Sequence, residues 1–149
     1  MRSFRPAIIC LFVALAGSAL AQEITWDAVK SEPEPEKQSQ IALELAQAGV
    51  DGVVEAYRQG LPEQARAMLA RIVEAVELSV TALEATGKNA RSRPKHFKRA
   101  EIATHKLARS LRSAQRQLIY DEREDLEPVI KRIEAINGEI LSEIMQTRR

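Results

Sequence analysis

The sequence predicts an all-α protein: an antiparallel, up-down-up-down four-helix bundle preceded by an extended acidic N-terminal tether. Three observations predict it. Apolar residues recur at alternating steps of three and four through four long stretches. Prolines open most of these stretches and glycines close the first two, the usual asymmetry of helix ends. No stretch alternates at period two for long enough to form a sheet strand.

Before the helices, residues 1–21 read as a cleaved secretory signal peptide. Arg2 and Arg5 form a basic start, Ala7 to Ala16 an apolar run, and Ala19-Leu20-Ala21 a small-residue cleavage site before Gln22. The apolar run from Ala7 to Ala21 has 15 residues, short of the roughly 20 that a membrane span needs. Cys10 follows Ile9, where a lipoprotein signal takes a small residue, so this lone cysteine is expected to leave with the signal. The mature chain is then expected to lack a transmembrane segment and to reside in a bacterial periplasm or be secreted. Residues 22–36 hold the single tryptophan, Trp26, and the run SEPEPE at Ser31 to Glu36. Alternating Pro and Glu resist helix and strand alike, so a flexible tether is expected there. Trp26 either docks back on the bundle or serves as an exposed anchor.

From residue 37 to residue 149 the pattern is a helical bundle domain, with helices over about 37–59, 62–86, 94–119 and 126–146. The first has a spine of small residues, Ala42, Leu45, Gly49, Val53 and Ala56, and stops at Gly60. Pro62 opens the second, whose core positions are Ala65, Leu69, Ile72, Val76, Ser79 and Leu83, with Gly87 as its stop. Pro94 opens the third, which has the clearest period: Phe97, Ala100, Thr104, Leu107, Leu111, Ala114 and Leu118 form a heptad seam. Asp121 to Asp125 read as an acidic connection. The fourth carries Leu126, Val129, Ile133, Ile136 and Ile140, with Asn137-Gly138 as a candidate kink.

One short resemblance is present. Glu55 to Ala75 resembles the hairpin of a tetratricopeptide repeat, with Tyr57, Gly60 and Ala65 near its aromatic and small positions. It covers one repeat at most, and such repeats need several copies to build a groove. No family is carried over from it.

Charge is the sharpest feature. Without residues 1–21 the chain has 20 basic and 21 acidic groups, a near balance that hides strong segregation. Residues 22–87 have 5 basic and 12 acidic groups, residues 88–118 have 10 basic groups and only Glu101, and residues 119–149 have 5 and 8. With Phe97 at heptad position a, Lys98 and Arg112 fall at b, Arg99 and Lys106 at c, and Lys95, Arg109 and Arg116 at f. These seven cations point away from the seam, and from Lys98 to Arg116 their stripe extends about 27 Å. They are the candidate anion-facing, partner-binding surface, to which Lys88, Arg91 and Arg93 add. The competing reading is a solvated outer face, partly balanced by Glu side chains of the second and fourth helices.

Other chemistry finds no support in the residues. His96 and His105 are nine residues apart, on opposite sides of a helix at 3.6 residues per turn. Glu101 and His105 are a common helix-surface spacing, and the Glu-x-x-His pairs of di-iron bundles and the Cys-x-x-Cys-His of covalent haem are absent. Glu74 and Glu77 sit on an exposed face, and no nucleophile stands near a histidine base. No catalytic residue, metal or cofactor is therefore assigned, and the chain is not expected to be an enzyme. Nucleic acid is not an expected partner either, since no aromatic interleaves the cations. The expected function is that of an exported, noncatalytic interaction module of the bacterial cell envelope, docking an acidic protein or anionic envelope component. The alternatives are a self-associating homo-oligomer, with the basic helix against a second copy's acidic surface, and a periplasmic ligand carrier.

Overall fold

A computed structural model describes residues 24–146. The segment read as a signal peptide, with Cys10, lies outside the described residues, as do residues 147–149. Five helices follow one another: α1 (Trp26–Ser31), α2 (Pro35–Arg58), α3 (Pro62–Ala85), α4 (Pro94–Gln115) and α5 (Tyr120–Gln146). There is no strand among the described residues. The four long helices are those the sequence pattern predicts, and α1 is additional.

The tether is the first correction. Thr25 caps α1, its hydroxyl accepting the Ala28 N–H at 3.3 Å, and Val29 is fully buried. Pro33 and Pro35 do interrupt the helical chain, but Pro35 occupies the first turn of α2, where no N–H is required. The acidic run is tied down: Lys37 pairs with Glu32 at 2.7 Å, Lys88 with Glu36 at 3.4 Å, and Gln38 Nε2 donates to the Val29 carbonyl at 3.0 Å. The Lys37 ammonium, then the Glu34 N–H, hold the Glu32 carboxyl below the usual carboxylate range. Two apolar side chains and a few charge-assisted bonds thus outweigh a composition that reads as unfolded.

The α2–α3 turn is built on Gly60, whose φ of +71° lets the Leu61 N–H reach Ala56 O and the Gly60 N–H reach Tyr57 O, both at 2.9 Å. Small residues then let the two helices approach: Gly49 faces Ile72 and Gly52 faces the Met68 thioether. A buried hydrogen bond of 2.8 Å links Ser39 near the start of α2 to Ser79 near the end of α3. The α2 spine differs from the expected one. Its buried residues include Leu43, Ala46, Val50, Val54 and Tyr57, whereas Leu45 and Gly49 are only half-buried.

The α4 seam packs along its whole length, with Phe97, Ala100, Thr104, Leu107, Leu111, Ala114 and Leu118 all buried. It meets Leu126, Ile130, Ile133, Ile136 and Ile140 of α5 in one hydrophobic core. Helix α4 ends earlier than the sequence pattern suggests, at Gln115, and Asp121 to Asp125 form the first turns of α5 rather than a connection. Acidic side chains there favour a helix N-terminus. Besides the α2–α3 and α4–α5 pairs, α2 packs on α4 and α3 on α5, while α3 and α4, consecutive in the chain, touch only lightly. The connection between them is anchored by buried Ala90, whose N–H donates to the Glu143 carboxylate at 3.1 Å.

Asn137-Gly138 does not break α5. Asn137 Nδ2 donates to Glu101 O and to the Thr104 hydroxyl, both at 2.8 Å, pinning α5 to α4. Gly138 is exposed, helical and has nothing within 4 Å of where a Cβ would stand. Gly138→Ala is therefore expected to stabilise the fold by about 1 kcal/mol. The check is thermal unfolding, which should rise by roughly 3–5 °C.

Candidate cationic docking face on α4

Helix α4 places the candidate residues by a simple constraint. Its buried seam occupies one side, so every side chain half a turn away is driven into solvent. Lys95, Lys98, Arg99, Lys106, Arg109, Arg112 and Arg116 are all exposed. Two have partners on neighbouring helices. Arg112 makes a bidentate pair with Glu134 of α5, with both bonds at 2.8 Å, and Arg99 donates to the side-chain carbonyl of Gln40 on α2. The other five, Lys95, Lys98, Lys106, Arg109 and Arg116, have no carboxylate within 4.0 Å among the described residues. Balancing by neighbouring Glu side chains is thus partial, through Glu134 of α5 alone among the described residues. In the preceding connection, Lys88 pairs with Glu36 at 3.4 Å, while Arg91 and Arg93 are exposed.

The acidic groups are engaged elsewhere. Glu77 pairs with Arg132, Glu63 with Arg66, and Glu127 with Lys131. The Gln115 amide, ahead of the Lys131 ammonium, keeps the Glu127 carboxyl below its ordinary range. At the end of the molecule where α2, α3 and α5 meet, Asp125 accepts from Tyr57 Oη at 2.7 Å and from Arg66 Nε at 3.0 Å. Burial, then the bond to Asp125, pushes the Tyr57 hydroxyl far above the ordinary phenol range.

Several grooves flank the packing. Between α2 and α4, Leu43, Gln47, Ala103, Arg99 and Lys106 line a shallow groove of about 570 Å³, so two of the candidate cations also form its wall. Gln47 donates to Ser110 at 3.1 Å, and its buried carbonyl oxygen has no partner. Between α2 and α3 an apolar groove of about 250 Å³ is lined by Gly49, Gly52, Met68 and Ile72, with Trp26 at its rim. Trp26 docks back on the core rather than standing free, and the Lys30 ammonium lies 5.2 Å from its ring centre. No cluster of three or more His, Cys, Asp or Glu side chains suited to a metal ion occurs among the described residues. His105 is exposed and His96 half-buried.

No family model matches the chain, and neither does any curated protein or solved structure. Among the described residues, no helix is long and apolar enough to cross a membrane. The sequence identified the cations; Ile102, 56% exposed, interrupts them. The sequence missed that Leu141 and Met145 of α5 are exposed too, at 44% and 55%. They fall one and five residues past Ile140, off the 3-4 steps of the α5 seam, and their place beside the α4 cations follows only from the course of α5 along α4.

Proposed function

We propose that the protein is an exported, noncatalytic helical interaction module of the bacterial cell envelope, docking an anionic partner on the α4 face. The observation that carries this reading is the row of exposed cations with so few carboxylate partners. Exposed ion pairs add little to folding, so cations left unpaired cost the fold little and stay available to an external anion, unlike Arg132, which Glu77 engages. The export signal supports the compartment, and the acidic remainder of the chain supports orientation, since it turns a polyanion away from every other face.

The architecture that presents this face is read as a four-helix bundle of two antiparallel hairpins laid side by side. Partner numbers support that reading. They run in opposite senses between α4 and α5, where Gln115 meets Glu127 and Thr104 meets Asn137. They rise together between α2 and α4, where Gln40 meets Arg99, Gln47 meets Ser110 and Arg58 meets Gln117. Like-directed helices are then neighbours, a different arrangement from a bundle in which each helix packs on the next.

Reversing Lys98, Arg109 and Arg116 to Glu is expected to abolish salt-sensitive recovery of a partner from the envelope fraction while leaving helicity unchanged. Retention of the same partner by the reversed protein would overturn the proposal. A second reading, self-association, is favoured by the acid-rich α2–α3 hairpin, which complements α4 in charge. Under it the same reversal would convert a dimer to a monomer in light scattering.

A further inference from the structure

Six large hydrophobic side chains are strongly exposed among the described residues: Leu61, Ile102, Ile119, Tyr120, Leu141 and Met145. Leu61, Ile119 and Tyr120 sit at the turns between helices, where the chain reverses. The other three share a face with the cations.

Ile102 is 56% exposed and stands one helical turn from Lys98 and Arg99 on one side and from His105 and Lys106 on the other. Leu141 lies one turn beyond Asn137, whose amide is bonded to Glu101 O and the Thr104 hydroxyl. It also lies two turns beyond Glu134, which pairs with Arg112. Those bonds fix which edge of α5 borders α4, and Leu141, followed by Met145 one turn on, continues that edge alongside the first turns of α4, which carry Lys95 to Arg99. The result is a broad two-helix face with three separate apolar side chains set among Lys95, Lys98 and Arg109, with Arg99 and Lys106 along its margin toward α2. Its carboxylates are Glu101 on α4 and, on the α5 edge, Glu134, which pairs with Arg112, and Glu127, which pairs with Lys131.

We infer that the anionic partner of this face is the headgroup surface of an anionic phospholipid bilayer, on which α4 and α5 lie flat with Ile102, Leu141 and Met145 entering the interface. The inference rests on the α4 docking proposed above. Charge complementarity selects a polyanion, and the form of the apolar groups selects a bilayer. The three side chains are separate, apolar and set on a convex helical surface, and the shallow α2–α4 groove at its margin is lined by none of them. A fluid lipid surface needs no such register, whereas a folded acidic protein would bury a contiguous, shaped patch. The long Lys and Arg stems can lie along the acyl boundary while their charges remain at headgroup level.

The test is co-flotation of the chain, as recovered from the envelope of its host, with phosphatidylglycerol-rich vesicles and with pure phosphatidylcholine vesicles. The parallel probe is a soluble polyglutamate column. Binding to the anionic vesicles only, released by salt, is expected. Replacing Ile102, Leu141 and Met145 by Ser, with every cation kept, should weaken vesicle binding by roughly tenfold to hundredfold and leave polyglutamate retention unchanged. If the triple replacement reduces helicity, Ile102→Ser alone carries the same test with a smaller loss. Retention on polyglutamate without vesicle binding would overturn the bilayer inference and leave anion docking standing. Failure on both probes would overturn both. Equal binding to neutral vesicles, or undiminished binding by the Ser variant, would also overturn the inference.

Discussion

Replacing Leu111 by Asp is expected to unfold the protein at room temperature. Leu111 is fully buried in the middle of the α4 seam, in the same core cluster as Leu107, Ile130 and Ile133. A carboxylate there has no cation within reach, because the α4 cations all point to the opposite side of the helix. The substitution removes a buried aliphatic side chain, about 2–5 kcal/mol, and adds the cost of an unpaired buried charge. A domain of this size is stable by only about 5–15 kcal/mol. Far-ultraviolet circular dichroism should show loss of most helical signal. Ile102→Asp on the outward side of the same helix is the control, and should change stability by no more than about 0.5 kcal/mol. Equal tolerance of both changes would mean that the seam is not a core.

The second large effect is expected at Asp125→Ala. Asp125 is the common acceptor for Tyr57 of α2 and Arg66 of α3, so it joins three helices at one end of the molecule. Its removal leaves the Tyr57 hydroxyl buried without an acceptor, at a cost of about 2–3 kcal/mol. Arg66 is half exposed and adds little. Denaturant unfolding should shift its midpoint accordingly without a change in slope. Tyr57 also sets a pH dependence. Its folded-state pKa lies above the unfolded value, so its contribution is fully present below about pH 10 and is lost as pH rises beyond it. Tyrosinate absorbance from Tyr57 should therefore appear only together with unfolding, and Tyr57→Phe should remove that coupled step.

What could be read in the sequence depended on contrast between faces. On α4, large apolar residues at strict 3-4 spacing alternate with Lys and Arg, and all seven seam positions are buried. On α2, Ala, Gly and Val recur on several faces, and burial depends on which neighbour approaches. That is why Val50 and Val54 are core while Gly49 lies half open beside Ile72. The short α1 was hidden because Pro and Glu dominate its surroundings, while its stability comes from Val29, Trp26 and the bonds to Lys37 and Gln38. The cations of the candidate face were legible one helix at a time. That Leu141 and Met145 stand beside them was not, since it depends on the pairing of α5 with α4 through Asn137 and Arg112, and pairings between helices leave little trace in a single sequence.

The placement of Trp26 determines what light can report about this molecule. It is the single indole of the chain, and it belongs to the six-residue helix clasped on the α2–α3 groove rather than to the main core. Its emission therefore follows the release of that clasp, an opening that involves few buried contacts and is cheaper than global unfolding. Fluorescence and circular dichroism are then two clocks for two events. A melt followed by emission alone would assign to the whole protein a stability that belongs to its first helix.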